Sequence, residues 1–197
     1  MATADLFKAI RLAVKWHEGQ LRDGIEALPY VTHPIEVMTL LRDVGGVTDP
    51  NLLAAAVLHD VVEESGASFG TLTTEFGPAV SDLVATLTRE ELTAEFIARH
   101  GLSKDQVWQV RADRLLAEIA SMNSDSQAIK LADRLSNVRQ AIRVKKGVKL
   151  ARYIWQTVQI LTIIPREVNP HLWDAIQDSI GEFWSLEYSP VAVPTEF

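Results

Sequence analysis

Cysteine is absent from the 197 residues of the chain. Thiol catalysis, iron–sulfur clusters and disulfide frameworks all require it, so each is excluded. The amino-terminal stretch MATADLFKAIRLAVKWHEGQ is interrupted by charges throughout and lacks the apolar centre of a signal peptide. No apolar run reaches the roughly 18 residues of a membrane-spanning helix. We therefore expect a cytoplasmic protein with no membrane partner.

An excess of positive charge is also missing, because the formal net charge is −7. Domains that bind nucleic acid over a broad surface are usually basic, so nucleic acid is not an expected partner. A local cationic pocket for a phosphorylated small molecule remains compatible with this balance.

Strand patterns are scarce, whereas apolar residues recur at helical spacing along most of the chain. The length suits one domain, and 47% apolar residues suffice for a core. We predict an all-α domain over residues 1–188, with a loosely held tail at 189–197. The turn residues Asp23-Gly24 and Pro29 make 22–30 a loop or one short β-hairpin.

Helical periodicity and breaking residues divide the domain into segments. Residues 88–105 are polar and carry no clear pattern. One helix, starting near Pro50, is expected to continue to Ser65-Gly66. The other predicted helices cover 4–17, 35–41, about 68–76, 78–87, 107–119, 126–143, 148–162 and about 171–184.

The stretch LLAAAVLHDVVEES, residues 52–65, places ionisable groups inside a segment that is otherwise apolar. On one helix His59 and Glu63 share a face, as do Asp60 and Glu64. Carboxylates near a helix carboxyl end cost about 0.3–1 kcal/mol each, whereas a bound divalent cation turns them into ligands. The alternative interpretation is a packed histidine followed by a solvated helix end.

Two further segments favour a metal site. PYVTHP places His33 at a helix entrance, and AIKLADRLSNVRQAIR places Lys130, Asp133 and Asn137 on one polar face. Two histidines and two aspartates supply four nitrogen and oxygen ligands, a mixed set that suits manganese, iron or zinc. Taken singly, a surface histidine and a solvated helix face explain these residues as well.

The order His33, His59-Asp60, Asp133 resembles that of the HD-domain superfamily of metal-dependent phosphohydrolases. PYVTHP, VLHDVVEES, Phe76-Gly77 and KLADRLSNVR are similar to the hydrolase domain of the RelA/SpoT alarmone enzymes. The resemblance covers about residues 4–185. The chain lacks room for the synthetase domain of those enzymes, so it resembles a stand-alone small alarmone hydrolase, similar to the metazoan SpoT homologue.

The resemblance implies an HD-domain helical bundle in which His33, His59, Asp60 and Asp133 hold one metal, usually Mn²⁺. It implies a reaction in which water attacks the 3′-diphosphate of (p)ppGpp, so that pyrophosphate leaves and GDP or GTP remains. Glu63 and Glu64 would be catalytic. The residues expected to contact this small nucleotide are Arg22, Lys130 and Asn137. Fe²⁺ or Zn²⁺ and a homo-oligomer are compatible with it.

Several positions depart from the family pattern. Asp23 replaces a frequent lysine, Ala27 a glycine, Glu64 an aspartate, and Ser136 an aromatic residue or histidine. These changes leave the expected metal ligands intact but alter the surroundings of the base and phosphates. Two alternatives therefore stay open: the same chemistry on another nucleotide, such as ppApp or NADPH, and a nucleotide-binding HD protein without turnover.

Overall fold

Helices account for all the regular structure in the residues that the computed structural model describes, 3–22 and 27–193. This confirms the all-α prediction. In that part of the chain no helix is long and apolar enough to cross a membrane. The α-helices are α1 Leu6–Trp16, α2 Thr32–Asp43, α3 Pro50–Leu58, α4 Val61–Ser65, α5 Phe69–Phe76, α6 Pro78–Leu87, α7 Ala94–Arg99, α8 Lys104–Ser121, α9 Ser124–Val144, α10 Val148–Ile163 and α11 Pro170–Ile180. Short 3₁₀-helices cover Arg166–Val168 and Gly181–Phe183.

Local capping explains where several helices begin. The Asp49 carboxylate accepts from the first N–H groups of α3, and Pro50 stands in the first turn, where its missing N–H costs nothing. Asn123 caps α9 in the same way. Ser103 and Gln106 form a reciprocal capping box at the start of α8.

The long helix α9 lies at the centre of the bundle, against α2, α3, α6, α10 and α11. Leu131, Leu135 and Val138 on its apolar stripe are fully buried. α3 is buried almost all round from Leu53 to Leu58. Full burial of each leucine contributes about 1.5–3 kcal/mol, so α3 and α9 hold the core.

The predicted single helix through residues 52–65 is wrong. α3 ends at Leu58, α4 starts at Val61, and His59 and Asp60 form the turn between them. The His59 ring nitrogen Nδ1 lies 2.8 Å from the Ala56 carbonyl oxygen. The side chain thus satisfies a backbone carbonyl at the point where the helix ends. Glu63 and Glu64 consequently lie in the first turn of a short helix rather than the last turn of a long one.

The predicted hairpin is reduced to an isolated antiparallel bridge between Leu21 and Pro29. The Arg22 N–H donates to Leu28 and the Tyr30 N–H to Gln20. Residues 23–26, including Asp23, lie outside the described residues. Ala27 has φ 43°, in the left-handed region that favours glycine.

Residues 88–105, which showed no clear pattern, contain α7 and contribute to a second small core. Leu92, Leu102 and Val110 form this core, and Val193 from the tail packs against it. The Gln106 side chain also donates to the Ala192 carbonyl. The carboxyl-terminal segment therefore runs against α8 as far as residue 193; the domain boundary at 188 stays a prediction.

Candidate metal centre and substrate cleft

Four predicted ligands come together from three parts of the bundle. His33 projects from α2, His59 and Asp60 from the α3–α4 turn, and Asp133 from α9. The Nε2 atom of His33 lies 3.6 Å from Asp60 Oδ2 and 3.3 Å from Asp133 Oδ1. The Nε2 atom of His59 lies 3.0 Å from Asp60 Oδ1 and 3.8 Å from Asp133 Oδ1. Two imidazoles and two carboxylates thus face one small volume.

The protonation pattern of His59 fits a cation in that volume. The carbonyl oxygen of Ala56 can only accept, so Nδ1 carries a proton, and in the neutral ring the Nε2 lone pair faces the cluster. Nε2 is buried and lies 3.0 Å from Asp60 Oδ1. A buried lone pair beside carboxylates is repulsive unless positive charge lies between them.

Positive charge is favoured at the same place, because a raised pKa of His59 means that a proton readily occupies Nε2, the atom that would bind a metal ion. Burial alone would lower the pKa of His59, but the carboxylates of Asp60 and Asp133 outweigh burial and raise it to about 8. Burial alone would raise the pKa of Asp60, but His59 and His33 hold it well below its usual value. Burial likewise opposes ionisation of Asp133, yet Lys130 and the two histidines keep its pKa low. The aspartates stay ionised and attract a cation.

The predicted polar face of α9 is directed into the site rather than into solvent. Lys130 is buried, and its Nζ lies 3.5 Å from Asp133 Oδ2. The Asn137 side-chain amide donates to Asp133 Oδ1. The Arg22 guanidinium donates to Asn137 at 3.3 Å, to Glu36 at 3.3 Å and to Ser136 at 3.4 Å. All three predicted nucleotide-contacting residues therefore belong to one network with the metal cluster.

The two carboxylates of the acidic pair, Glu63 and Glu64, have different environments. The Glu63 carboxylate accepts from the Arg89 backbone N–H at 2.6 Å and lies 3.5 Å from the Arg89 guanidinium. Its side chain is only 16% exposed. Glu64 is exposed, and partial burial together with the Asp60 and Glu63 charges raises its pKa. Glu63 is thus fixed inside the cleft, and Glu64 lies more openly along it.

The metal cluster opens into a cleft of about 1080 Å³. Four of the described lining residues are acidic, and all four belong to the groups already named. Twice as many lining residues are basic as are acidic, although the whole chain has a net charge of −7. This local excess of positive charge suits a ligand carrying several phosphates. The basic lining residues are Arg22, Arg89, Arg111, Lys130, Arg134, Lys145, Lys146 and Lys149.

Sequence patterns alone missed several groups in this site. The Tyr30 hydroxyl donates to Asp60 Oδ2 at 2.8 Å, and its position in PYVTHP is the one signal that could have found it. Arg89 lies in the polar stretch without a helical pattern. The lysines at 145–149 form a short basic run that, in sequence, is indistinguishable from a solvated turn.

A helical bundle that joins His33, His59-Asp60 and Asp133 in this order has the architecture of an HD domain, and residues 9–160 match the HD-domain family. The chain belongs to this family, and within it to the RelA/SpoT hydrolase type. HD domains bind a divalent metal, and His33, His59 and Asp60 form a group that could hold one.

Comparisons with individual proteins support this membership. The chain is 36% identical over 138 residues to the guanosine-3′,5′-bis(diphosphate) 3′-pyrophosphohydrolase MESH1 of Drosophila melanogaster, covering 70% of this chain and 69% of the relative. It is 33% identical over 156 residues to a GTP pyrophosphokinase of Streptomyces coelicolor, covering 78% of this chain and 16% of that protein. A solved structure described as a metazoan ortholog of SpoT that hydrolyzes ppGpp superposes with a TM-score of 0.79 and 27% identity, covering 93% and 98% of the two chains.

Proposed function

We propose that this chain hydrolyses the 3′-diphosphate of (p)ppGpp in a metal-dependent reaction, releasing pyrophosphate and GDP or GTP. The observation that carries the proposal is the cluster of two buried histidines and two partly buried aspartates beside Glu63, in a cleft rich in arginine and lysine. The Drosophila relative named as a 3′-pyrophosphohydrolase supports the same substrate.

The proposed metal is Mn²⁺, held by His33, His59, Asp60 and Asp133. Mixed nitrogen and oxygen donors suit this ion. When bound, it supplies Lewis-acid polarisation of a phosphoryl oxygen and a water of lowered pKa. The Tyr30 hydroxyl donates to Asp60, and the Asn137 amide to Asp133, so both carboxylates are oriented from outside the cluster.

The acidic pair divides the proton transfers. Glu63, held by the Arg89 N–H, takes the proton of the attacking water. The water oxygen forms a bond to the phosphorus attached to the 3′-oxygen, the bond from phosphorus to that oxygen breaks, and pyrophosphate leaves. Glu64, whose pKa is raised, is the carboxyl more readily protonated and returns a proton to the 3′-oxygen.

Basic groups hold the rest of the nucleotide. Lys130 and Arg89 lie beside Asp133 and Glu63, where their charges face the reacting diphosphate. The Arg22 guanidinium is held at its edge by Glu36 and Asn137, which leaves a planar cation for stacking on the base. The lysines at 145–149 supply charge for the 5′-phosphates.

The proposal is tested by incubating the purified chain with Mn²⁺ and ppGpp and measuring pyrophosphate, with His59→Ala as the inactive control. We expect stoichiometric pyrophosphate and GDP. The same incubation tests the other nucleotides: pyrophosphate is measured with ppApp, and inorganic phosphate with NADPH, whose phosphate monoester cannot yield pyrophosphate. If ppApp or NADPH is hydrolysed faster than ppGpp, that nucleotide is the substrate instead. If the protein takes up Mn²⁺ but hydrolyses none of the three nucleotides, it is a binding protein. A cytoplasmic location and self-association stay predictions.

A further inference from the structure

A chain of hydrogen bonds leads away from the metal cluster through His33. The Nδ1 atom of His33 lies 3.0 Å from the Ser136 hydroxyl oxygen, across 103 positions of sequence. The Ser136 hydroxyl donates to Glu36 Oε2 at 2.8 Å. The Arg22 guanidinium lies 3.3 Å from the same carboxylate oxygen. Glu36 follows His33 by one turn on α2, and Ser136 follows Asp133 on α9, so the chain links the two helices that supply these ligands.

The chemistry of the three groups determines which atom donates and which accepts in each of these hydrogen bonds. An ionised carboxylate only accepts, so the single hydroxyl proton of Ser136 is used on Glu36. The serine oxygen must then accept from His33, which requires the proton on Nδ1. Nε2 of a neutral His33 is left with a lone pair directed at Asp60 and Asp133.

We propose that Ser136 and Glu36 are positioning residues that hold His33 in the tautomer able to bind the metal through Nε2. The inference depends on the proposed metal site. His59 is set the same way by the Ala56 backbone carbonyl, which side-chain substitution leaves in place. His33 depends on two side chains instead.

Arg22 gives the chain of hydrogen bonds its outer anchor. Its guanidinium contacts both Glu36 and Ser136, and only 13% of its side chain is exposed. The guanidinium lies 3.3 Å from the Glu36 carboxylate oxygen that accepts from the Ser136 hydroxyl, so it holds this acceptor in place. Without Glu36, the serine hydroxyl is free to turn and donate to Nδ1, which moves the imidazole proton to Nε2 and blocks the ligand atom.

The experiment measures Mn²⁺ binding by titration calorimetry without nucleotide, so it is independent of the substrate. Ser136→Ala and Glu36→Ala should each weaken Mn²⁺ binding about 10- to 100-fold, the usual loss when an outer hydrogen-bond partner of a ligand is removed. Glu36→Gln, whose amide oxygen still accepts from the hydroxyl, should stay closer to the unchanged protein. The matched control is Ser126→Ala, because Ser126 is also buried on α9 and its hydroxyl has no partner among the described residues.

A double substitution separates positioning from general packing. Both residues act through one imidazole. The double variant, Ser136→Ala with Glu36→Ala, should therefore have an Mn²⁺ affinity no lower than that of whichever single variant binds Mn²⁺ less tightly. Thermal unfolding of the metal-free variants checks folding, and Glu36→Ala provides the test if Ser136→Ala fails to fold. Unchanged Mn²⁺ affinity in folded Ser136→Ala or Glu36→Ala, or losses that add, would overturn the inference. An unsubstituted protein that takes up no Mn²⁺ would overturn the metal site itself.

Discussion

Replacing His59 by alanine should remove most of the stabilisation that Mn²⁺ gives to this protein. The imidazole is 2% exposed, and its Nε2 lies 3.0 Å and 3.8 Å from the two aspartates, so no neighbouring group can take its place without rearrangement. A ligand that binds only the folded state, supplied at 100 times its Kd, stabilises the fold by about 2.7 kcal/mol. For a domain of this size, each kcal/mol raises Tm by about 2–4 °C. The expected shift is about 5–11 °C.

The variant should lose most of that shift. Removing a ligand weakens binding at least as much as removing an outer hydrogen-bond partner, which costs up to about 100-fold. At the same Mn²⁺ concentration the stabilisation then falls to about 0.4 kcal/mol, or at most about 2 °C. The assay is thermal unfolding of each protein with and without Mn²⁺, so any loss of packing in the variant cancels.

His171→Ala is the matched control, because His171 is an exposed imidazole outside the cleft. It should retain the full Mn²⁺-dependent shift. A His59→Ala variant that still gains more than about 5 °C with Mn²⁺ would refute the argument that this residue binds the metal.

Three further predictions address the chemistry, the cleft and the core. Glu63→Gln should lower kcat for pyrophosphate release about 10²–10⁴-fold while retaining the Mn²⁺-dependent shift in Tm; near-normal turnover would contradict its role as base. Lys145→Ala combined with Lys149→Ala should raise KM for ppGpp with little change in kcat, and steady-state assays at two salt concentrations should show KM less sensitive to salt; an unchanged KM would contradict a phosphate-binding role. Leu135→Ala, at a fully buried position of α9, should lower the free energy of unfolding by about 2–5 kcal/mol in urea titrations, and a smaller loss would contradict the central position of α9.

Helix periodicity predicted most elements because it is a local property. The apolar stripe that placed a helix at 126–143 is the stripe that α9 buries, and the predicted segment at 148–162 coincides with α10 to within a residue. The prediction of one helix through 52–65 was wrong because side-chain contacts, not helical periodicity, determine the break after Leu58. The His59 ring occupies the Ala56 carbonyl, and Tyr30 from another part of the chain binds Asp60.

The sequence by itself determined which donors this protein can offer: histidines and aspartates without any thiol, an acidic pair shortly after His59-Asp60, and helices long enough to carry them. Donor chemistry and helix periodicity belong to single residues and their near neighbours. Only the tertiary structure decided that His33 and Asp133 face each other, that the polar face of α9 turns into a basic cleft, and that Ser136 reaches both His33 and Glu36. These contacts join positions about a hundred residues apart, and the packing of α2, α3 and α9 sets them.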